Sequence, residues 1–238
     1  MVKEKVTIII PVFNEKKYIS KIINKLIDIK EIRTQILIVD DGSKDGTTKI
    51  LKKKYLTNKR ISKIIFHKKN KGKGAAIRSA QKYICGKYIA IQDADLEYNP
   101  KDLIKLYKHI KKNNLKVLYG SRVLGKNKFQ NTKNFTHFIR IWANYILTVV
   151  SNFINNQKLT DAHTCYKVFD SKLFKKIYLS ENGFAFCPEI TTKISNLNVG
   201  IFEIPISYNG RTYNEGKKIS SFDGFRALYS LIKYKFIG

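Results

Sequence analysis

The chain has 238 residues, and its 46 Lys and Arg side chains outweigh 18 Asp and Glu side chains, which gives a formal net charge of +28. A hydrophobic content of 43% is enough for the core of one large domain. No segment approaches the ~18 to 20 apolar residues of a transmembrane helix, and no helix-turn-helix, zinc or ribonucleoprotein signature indicates nucleic-acid binding.

The basic excess has two explanations. Most of the cations are lysine, and Ile and Asn are also abundant, as in a protein from an A/T-rich coding sequence, so part of the charge is compositional. The remainder favours partners that carry phosphate groups or an anionic membrane surface. Nucleic acid is a third possible partner, but no sequence motif supports it.

The cysteines and the N-terminus indicate a compartment. Cys85, Cys165 and Cys187 are widely spaced without a C-x-x-C pair, which predicts neither a zinc site nor a disulfide framework. The apolar run from Val6 to Val12 comes too early and is too short for a signal peptide. We therefore expect a cytoplasmic protein that is soluble or peripheral to a membrane.

The first half of the chain alternates short apolar runs with helical patterns. The predicted strands are 6–12, 35–40, 62–66, 87–92 and 116–119, and the predicted helices lie within 18–27, 50–55, 74–83 and 100–112. Asn99 reads as the N-cap and Pro100 as the first residue of the last of these helices. This alternation predicts an α/β fold with a doubly wound, mostly parallel sheet.

The pattern changes after Arg122. A polar loop over 123–134 is followed by a long amphipathic helix over 135–154, strands at 164–169 and 199–208, a helix at 188–197 and an aromatic, basic helix at 222–236. No linker separates a second domain. We expect one domain over 1–238, with one half over about 1–122 and a second half over about 123–238.

An acidic run follows the fourth predicted strand. Asp93, Asp95 and Glu97 lie where that strand ends, and ligands of open α/β sheets bind at this edge. In an extended segment Asp95 and Glu97 point to the same side and can hold one hard cation, whose remaining ligands are commonly substrate phosphates. A lone D-x-D is also compatible with a solvated acidic turn.

Acids also follow the first two strands. Glu15 comes after the first strand, and Asp40 and Asp41 end the second, followed by Gly42 and Ser43. Each acid alone is compatible with a turn or cap, and Ser43 is a candidate N-cap. Three strand ends that each deliver an acid to one edge are hard to explain as capping and indicate a ligand site.

The complete set of motifs resembles the family-two inverting glycosyltransferases of GT-A fold. The matching runs are P-V-F-N-E (11–15), V-D-D-G-S-x-D-G-T (39–47), N-K-G-K-G-A-A-I (70–77), Q-D-A-D-L-E-Y-x-P (92–100), G-S-R (120–122), T-D-A-H-T-C-Y-K-V-F (160–169), P-E-I-T (188–191) and R-T-Y-N-E-G-K-K-I (211–219). The chain is most similar to the dolichyl- or polyprenyl-phosphate glucosyl- and mannosyltransferases. The resemblance spans nearly the whole chain.

The resemblance implies a role for each matching position. The nucleotide-sugar pocket would be lined by Pro11, Phe13, Glu15, Val39, Asp41, Asp93, Ala94, Asp95, Arg211 and Lys217. Asp95 and Glu97 would bind Mg²⁺ or Mn²⁺ under the diphosphate, and Arg122 would orient the acceptor phosphate. The chain departs from near relatives at His163 and Cys187, where they carry carboxylates, which concerns the acceptor side.

Arg211 and Lys217 lie in a polar segment, 209–220, that can fold over a site and reopen. Two cations on such a lid could neutralise a leaving diphosphate, the arginine through its planar fork. Composition alone is compatible with an ordinary basic loop; the family spacing favours the lid.

The need for a general base depends on the acceptor. A phosphate is already anionic at neutral pH and needs little or no base, whereas a sugar hydroxyl would need one. Asp161 is the first candidate for that base and Glu189 is a second acceptor-side acid, while His163 could contact substrate. The other histidines are predicted to be surface or structural: His67, His109 and His137.

The resemblance implies a metal-dependent inverting transferase that moves a hexose from UDP-glucose or GDP-mannose to a polyprenyl phosphate. One alternative is the same fold acting on a cell-surface saccharide, and another is a non-catalytic basic module that binds nucleic acid. Residues 135–154 and 222–236 could lie on an anionic membrane, or could instead pack on the sheet or on another subunit. The oligomeric state is left open.

Overall fold

The structure is a computed structural model that describes residues 5–124, 135–211 and 221–237. Strands in this part of the chain join into one sheet: β1 (Lys5–Val12), β2 (Arg33–Asp40), β3 (Ile61–Phe66), β4 (Tyr88–Ile91), β5 (Val117–Ser121), β6 (Lys167–Asp170) and β7 (Phe202–Pro205). Their order is β3-β2-β1-β4-β6-β5-β7. All neighbouring pairs are parallel except those that involve β6. The predicted α/β fold with a mostly parallel sheet is confirmed.

Helices cover the sheet and connect its strands: α1 (Ile19–Ile27), α2 (Thr47–Tyr55), α3 (Lys73–Gln81), α4 (Pro100–Lys112), α5 (Phe135–Asn155), α6 (Ser171–Lys176), α7 (Phe186–Asn196) and α8 (Ser221–Phe236). Because helices cover both faces of the sheet, the central strands read as continuous apolar runs, and Ile8, Ile9 and Ile10 are all fully buried. Of these helices, α6 was not predicted. Six residues are too few to show helical periodicity, and its start is set by Asp170, which accepts hydrogen bonds from the main-chain N–H groups of Lys172 and Leu173.

The start of α4 follows the prediction and the start of α2 does not. Asn99 caps α4 by accepting a hydrogen bond from the main-chain N–H of Lys101, with Pro100 at the first helical position. Ser43 was predicted to cap α2, and this was wrong. Its hydroxyl accepts a hydrogen bond from the main-chain N–H of Asn14, and α2 begins four residues later, at Thr47. Ser43 therefore ties the loop after β1 to the loop after β2.

The strand predicted over 164–169 begins only at Lys167. The carbonyl oxygens of Ala162 and Thr164 accept hydrogen bonds from the buried ammonium of Lys167, so the preceding residues fold around that ammonium. Because β6 runs antiparallel to β4, its start lies at the same edge as the carboxyl end of β4. This reversal brings the part of the 160–169 motif that precedes β6 to the predicted ligand edge.

Candidate active site

Loops after β1, β2 and β4 form one edge of the sheet. The register of the three parallel strands places Val12 beside Asp40, and Ile9 beside both Leu37 and Ile91. The acids that follow these strands therefore lie at a common edge, as predicted. β5 ends at the same edge, where Arg122 follows it.

Asp95 and Glu97 lie in a turn, and the extended geometry predicted for them was wrong. Leu96 has a left-handed backbone with φ of 63°, and the main-chain N–H of Glu97 donates to Oδ1 of Asp95 at 3.1 Å. Asp95 thus forms a side-chain turn of the kind that short acids favour. The turn nevertheless directs both carboxylates to the same cationic group.

That group is the guanidinium of Arg211. It lies 3.1 Å from Oδ2 of Asp95, 3.4 Å from Oε1 of Glu97 and 3.1 Å from Oε2 of Glu15. The side chains are largely withdrawn from water, with exposed fractions of 11% for Arg211, 14% for Asp95, 8% for Glu97 and 7% for Glu15. Arg211 was predicted to face a diphosphate, and in this structure it contacts three carboxylates.

The acidic cluster raises the pKa of Asp95. Burial is the largest cause, followed by the negative charges of Asp93 and Glu97, and the pKa reaches about 7 even though Arg211 lowers it. An acid whose pKa is raised in this way is held at an electrostatic cost when ionised. The cluster therefore favours the approach of a cation.

Mg²⁺ or Mn²⁺ fits this donor set. Both ions prefer oxygen ligands and are commonly held by one or two carboxylates and substrate phosphates, and Asp95 and Glu97 already share one cation. Among the described residues, no group of three or more His, Cys, Asp and Glu side chains is arranged to hold a metal ion. A divalent cation at Asp95 and Glu97 would therefore need oxygen ligands from elsewhere, such as a diphosphate.

The predicted nucleotide-pocket residues differ in how much of each side chain a ligand could contact. Pro11 and Phe13 are half-buried, so parts of their side chains reach the edge. Val39 is fully buried and Ala94 is 3% exposed, so each can meet a ligand mainly through its main chain.

Asp41 holds a neighbouring loop in place. Its carboxylate accepts hydrogen bonds from the main-chain N–H groups of Lys71 and Gly72, and it lies 2.6 Å from Nδ1 of His67. A Cβ on Gly42 would come within 2.6 Å of the main chain at Lys69, so this loop packs directly on the glycine. His67, predicted to be surface or structural, has a structural role between Asp41 and Ser79.

Lys73 was missed by sequence reasoning, although it lies in the matching run N-K-G-K-G-A-A-I (70–77). Its ammonium lies 2.6 Å from Oδ1 of Asp93 and donates to the sulfur of Cys165 at 2.8 Å. Burial would lower the pKa of Lys73, but the Asp93 carboxylate outweighs burial and raises it. Lys73 therefore joins the loop after β4 to the 160–169 motif, and its place in a matching run was the available signal.

Arg122 and Asp161 form a two-pronged ion pair on the acceptor side. Nε and Nη2 of Arg122 donate to the two carboxylate oxygens of Asp161 at 2.7 and 2.8 Å, and the main-chain N–H of Arg122 adds a third bond at 3.0 Å. Burial opposes ionisation of Asp161, but Arg122 outweighs it and lowers the pKa. The guanidinium also lies over the ring of Tyr208, 5.1 Å from its centroid. Asp161 is thus a poor general base in this arrangement.

Glu203 fixes the position of the main chain at Asp161. Its carboxylate accepts hydrogen bonds from the main-chain N–H groups of Thr160 and Asp161 and from the Thr160 hydroxyl. Nearby, Nε2 of His163 is buried without a hydrogen-bond partner among the described residues. Burial, followed by the charge of Lys167, lowers the pKa of His163 to about 4, so the imidazole is neutral at neutral pH.

The remaining predicted acid, Glu189, is committed to structure. It is fully buried and accepts hydrogen bonds from the main-chain N–H groups of Ser180 and Glu181, and it pairs with Lys193 at 2.9 Å. Lys217, the second predicted lid cation, lies outside the described residues.

Solved structures share the fold of this chain. Glucosyl-3-phosphoglycerate synthase from Mycobacterium tuberculosis, solved with Mn²⁺, UDP and phosphoglyceric acid, matches with a TM-score of 0.73 at 11% identity over 99% of this chain and 80% of that one. Mannosyl-3-phosphoglycerate synthase from Rubrobacter xylanophilus matches with a TM-score of 0.67 at 17% identity over 97% of this chain and 72% of that one. At these identities the likeness shows the fold alone.

Sequence relatives cover most of the chain. It is 28% identical to a UDP-N-acetylglucosamine–dolichyl-phosphate N-acetylglucosaminyltransferase of Methanococcus voltae, over 99% of this chain and 98% of the relative. It is 26% identical to a dolichol-phosphate mannosyltransferase of Pyrococcus furiosus, over 97% of this chain and 64% of the relative. A dolichyl-phosphate beta-glucosyltransferase of Trichomonas vaginalis is 26% identical, over 86% of this chain and 65% of the relative.

The family model described as glycosyl transferase family 2 matches residues 7–178. That range contains the strand-end acids, the Asp95–Glu97 turn and the Arg122–Asp161 pair, while Arg211 lies beyond it. The chain therefore belongs to glycosyl transferase family 2, and it is a glycosyltransferase of GT-A fold.

Proposed function

We propose that the protein transfers a hexose, with inversion and in the presence of Mg²⁺ or Mn²⁺, from UDP-glucose or GDP-mannose to a polyprenyl phosphate. The observation that carries the acceptor class is the Arg122–Asp161 pair. Arg122 keeps 16% of its side chain exposed, and it pairs with both oxygens of the carboxylate that was the first candidate for a base. Such a site suits a nucleophile that is already an anion.

Two groups of residues would serve the reaction, one at the acceptor phosphate and one at the donor diphosphate. An oxygen of the acceptor phosphate would form a bond to the anomeric carbon while the bond from that carbon to the donor diphosphate breaks. Arg122, held by Asp161, would orient the acceptor phosphate, and Asp95 and Glu97 would hold the metal ion. The ion would supply charge stabilisation for the departing nucleoside diphosphate. No proton need move to or from the acceptor.

A saccharide acceptor is the weaker alternative because its hydroxyl would require a base. Asp161 has a lowered pKa and is paired through both oxygens. His163 is neutral, but a pKa of about 4 makes it a weak acceptor of a hydroxyl proton. Phosphate acceptors also agree with the relatives, three of which are named as dolichyl- or dolichol-phosphate transferases.

We propose a peripheral position at the inner face of the cytoplasmic membrane, because a long prenyl chain is insoluble in water. Within the described residues, no helix is long and apolar enough to cross a membrane. Helices α5 and α8 pack against each other and expose an apolar face made of Trp142, Tyr145, Ile146, Val149, Phe153, Phe222, Phe225, Leu228, Tyr229, Ile232, Phe236 and Ile237. Arg226, Lys233 and Lys235 on α8 would meet anionic headgroups.

We also propose that residues of about 1–122 bind the donor and those of about 123–238 serve the acceptor. The three relatives described above carry three different sugars in their names, so the donor must be found by experiment. Purified protein should be incubated with Mn²⁺, a short-chain polyprenyl phosphate and UDP-glucose, GDP-mannose or UDP-N-acetylglucosamine in turn, and release of nucleoside diphosphate measured. Release should require both metal and polyprenyl phosphate.

Two controls separate the alternatives. Release that depends on a saccharide, and is unaffected by polyprenyl phosphate, would assign the saccharide acceptor. A salt-sensitive mobility shift with random DNA, together with no metal-dependent binding of any nucleotide sugar, would assign a non-catalytic nucleic-acid-binding module.

A further inference from the structure

We propose that Arg211 and the divalent cation are alternative partners of the same carboxylates, so that metal and donor bind together and metal alone binds weakly. Arg211 contacts the carboxylates that would hold the metal, and the diphosphate of the donor would draw its guanidinium away from them. This inference rests on the proposed function, because it assumes a donor with a diphosphate and a divalent cation.

The contacts of Arg211 leave little room for a second cation. Its Nη2 lies 3.1 Å from Oδ2 of Asp95, and its Nε lies 3.4 Å from Oε1 of Glu97. The main-chain N–H of Arg211 also donates to Oε1 of Glu97 at 2.9 Å, and the hydroxyl of Tyr208 donates to Oε2 at 2.6 Å. Both oxygens of Glu97 therefore already accept hydrogen bonds, and the Arg211 guanidinium lies on the oxygens that a metal ion shared by Asp95 and Glu97 would use.

Charge makes the two occupants exclusive. A metal ion bonded to Asp95 and Glu97 would lie about 2 Å from their oxygens, and the guanidinium lies on those same oxygens at hydrogen-bond distance. Two cations this close in a largely buried site repel each other strongly, because the effective dielectric constant is low. Glu15, Asp95 and Glu97 together carry more negative charge than Arg211 balances, so the cluster retains an attraction for a divalent ion.

The exchange needs only a movement of the Arg211 side chain. The main chain beside it is anchored, because the N–H of Asn209 donates to the carbonyl of Glu97 at 2.9 Å and Tyr98 pairs with Tyr208 in a β-bridge. The guanidinium also lies over the ring of Tyr18, 5.3 Å from its centroid. From this anchored position it can turn toward a diphosphate, for which a planar guanidinium is a suitable partner.

Reciprocal coupling follows from this exchange. A diphosphate that removes Arg211 from the acids increases their affinity for metal, and metal at the acids frees Arg211 for the diphosphate. Removing the guanidinium should therefore strengthen binding of metal alone while weakening the mutual assistance between metal and nucleotide.

The test is Mn²⁺ binding to the full chain, measured by the electron paramagnetic resonance signal of free Mn²⁺, without nucleotide and then with saturating UDP or GDP. Arg211→Gln should bind Mn²⁺ alone at least about 10-fold more tightly than wild type, and the gain in Mn²⁺ affinity on adding nucleotide should shrink by a similar factor. Arg33→Gln, which removes an exposed arginine at the start of β2, should match wild type.

Equal or weaker binding of Mn²⁺ alone by a folded Arg211→Gln protein would overturn the proposal. Arg211→Lys provides a second variant: it keeps the charge but not the fork, so its affinity for Mn²⁺ alone should lie between those of wild type and Arg211→Gln, and an affinity tighter than that of Arg211→Gln would also contradict the exchange. Failure of the proposed function would appear differently, as absence of sugar transfer by wild type with normal Mn²⁺ binding.

Discussion

Asp95 is the residue on which the proposed chemistry depends most. Asp95→Asn removes a charged metal ligand and should lower the rate of transfer at least ~100-fold, equivalent to about 2.7 kcal/mol of barrier. The fold should be unchanged, because Asp95 lies in a turn after β4 and burial already disfavours its charged form. Initial rates at saturating Mn²⁺ and circular dichroism test the two statements.

A matched control for this substitution is Asp28→Asn, at an exposed acid that follows α1. It should retain the full rate of transfer. Metal-dependent turnover near the wild-type rate in Asp95→Asn would remove Asp95 from the metal site.

His163 gives a prediction about pH and stability. Its pKa is about 4 in the folded protein and 6.5 when unperturbed, so between these values the unfolded chain binds a proton that the folded protein does not. The contribution of His163 to the free energy of unfolding should therefore fall as pH falls from 6.5 toward 4. At pH 5 the loss should be about 2 kcal/mol.

The difference between wild type and His163→Asn isolates this effect, because other groups, including Asp95 with its opposite shift, are common to both proteins. The free energies of unfolding in urea should be measured at pH 7 and at pH 5. Wild type should lose about 2 kcal/mol more than the variant between these pH values. An equal loss in both proteins would show that His163 protonates normally in the folded state.

Sequence reasoning placed most candidate residues at the correct edge but did not find their partners. The strand-end positions of Glu15, Asp41 and Asp95 follow from periodicity, and the structure brings them to one edge. The pairing of Arg122 with Asp161 depends on the reversal of β6, which local pattern does not encode. Arg211 with Asp95, separated by 116 residues, is likewise a tertiary contact without a local signal.

At the scale of elements, the helices with periodic apolar patterns were predicted and the six-residue helix α6 was not. Helix α4 agrees with the predicted 100–112, because its apolar spacing, cap and proline all point to the same bounds. β6 and α6 together span only Lys167–Lys176, and their bounds depend on the buried Lys167 ammonium and on the cap at Asp170. Neither interaction produces a periodic pattern of apolar residues from which the element could be predicted.

The exposed face of α5 and α8 leads to a prediction at this scale. Phe225 and Tyr229, one turn apart on α8, are 73% and 66% exposed. Phe225→Glu with Tyr229→Glu should weaken binding to vesicles that contain anionic lipid, because it removes apolar insertion and adds two charges that the lipid repels. Co-flotation with vesicles at low and high salt measures this.

Leu56→Glu is a suitable control, since Leu56 is also well exposed, at 57%, but follows α2 on the donor half. It should float as wild type does. Loss of a dimer on size-exclusion chromatography with light scattering, in the Phe225 and Tyr229 double variant alone and without a change in flotation, would instead assign the face to contact between two copies.

At the scale of the whole molecule, the net charge of +28 should strengthen membrane binding, but binding should not depend on charge alone. Each basic residue close to an anionic bilayer contributes about 1 kcal/mol, which salt screens over roughly 10 Å at 0.1 M. Wild-type flotation should therefore weaken at high salt but persist, because apolar insertion by α5 and α8 is not screened. Complete release at high salt would show that charge alone holds the protein at the membrane.

The most direct test of the account is to follow the sugar itself. Purified protein, Mn²⁺, a polyprenyl phosphate and a nucleotide sugar labelled in the hexose should yield label in a product that partitions into organic solvent, and nuclear magnetic resonance should show a phosphodiester at the anomeric carbon with configuration opposite to that of the donor. Asp95→Asn should abolish this product. Label in a water-soluble saccharide, or a product that retains the donor configuration, would contradict inverting transfer to a lipid phosphate.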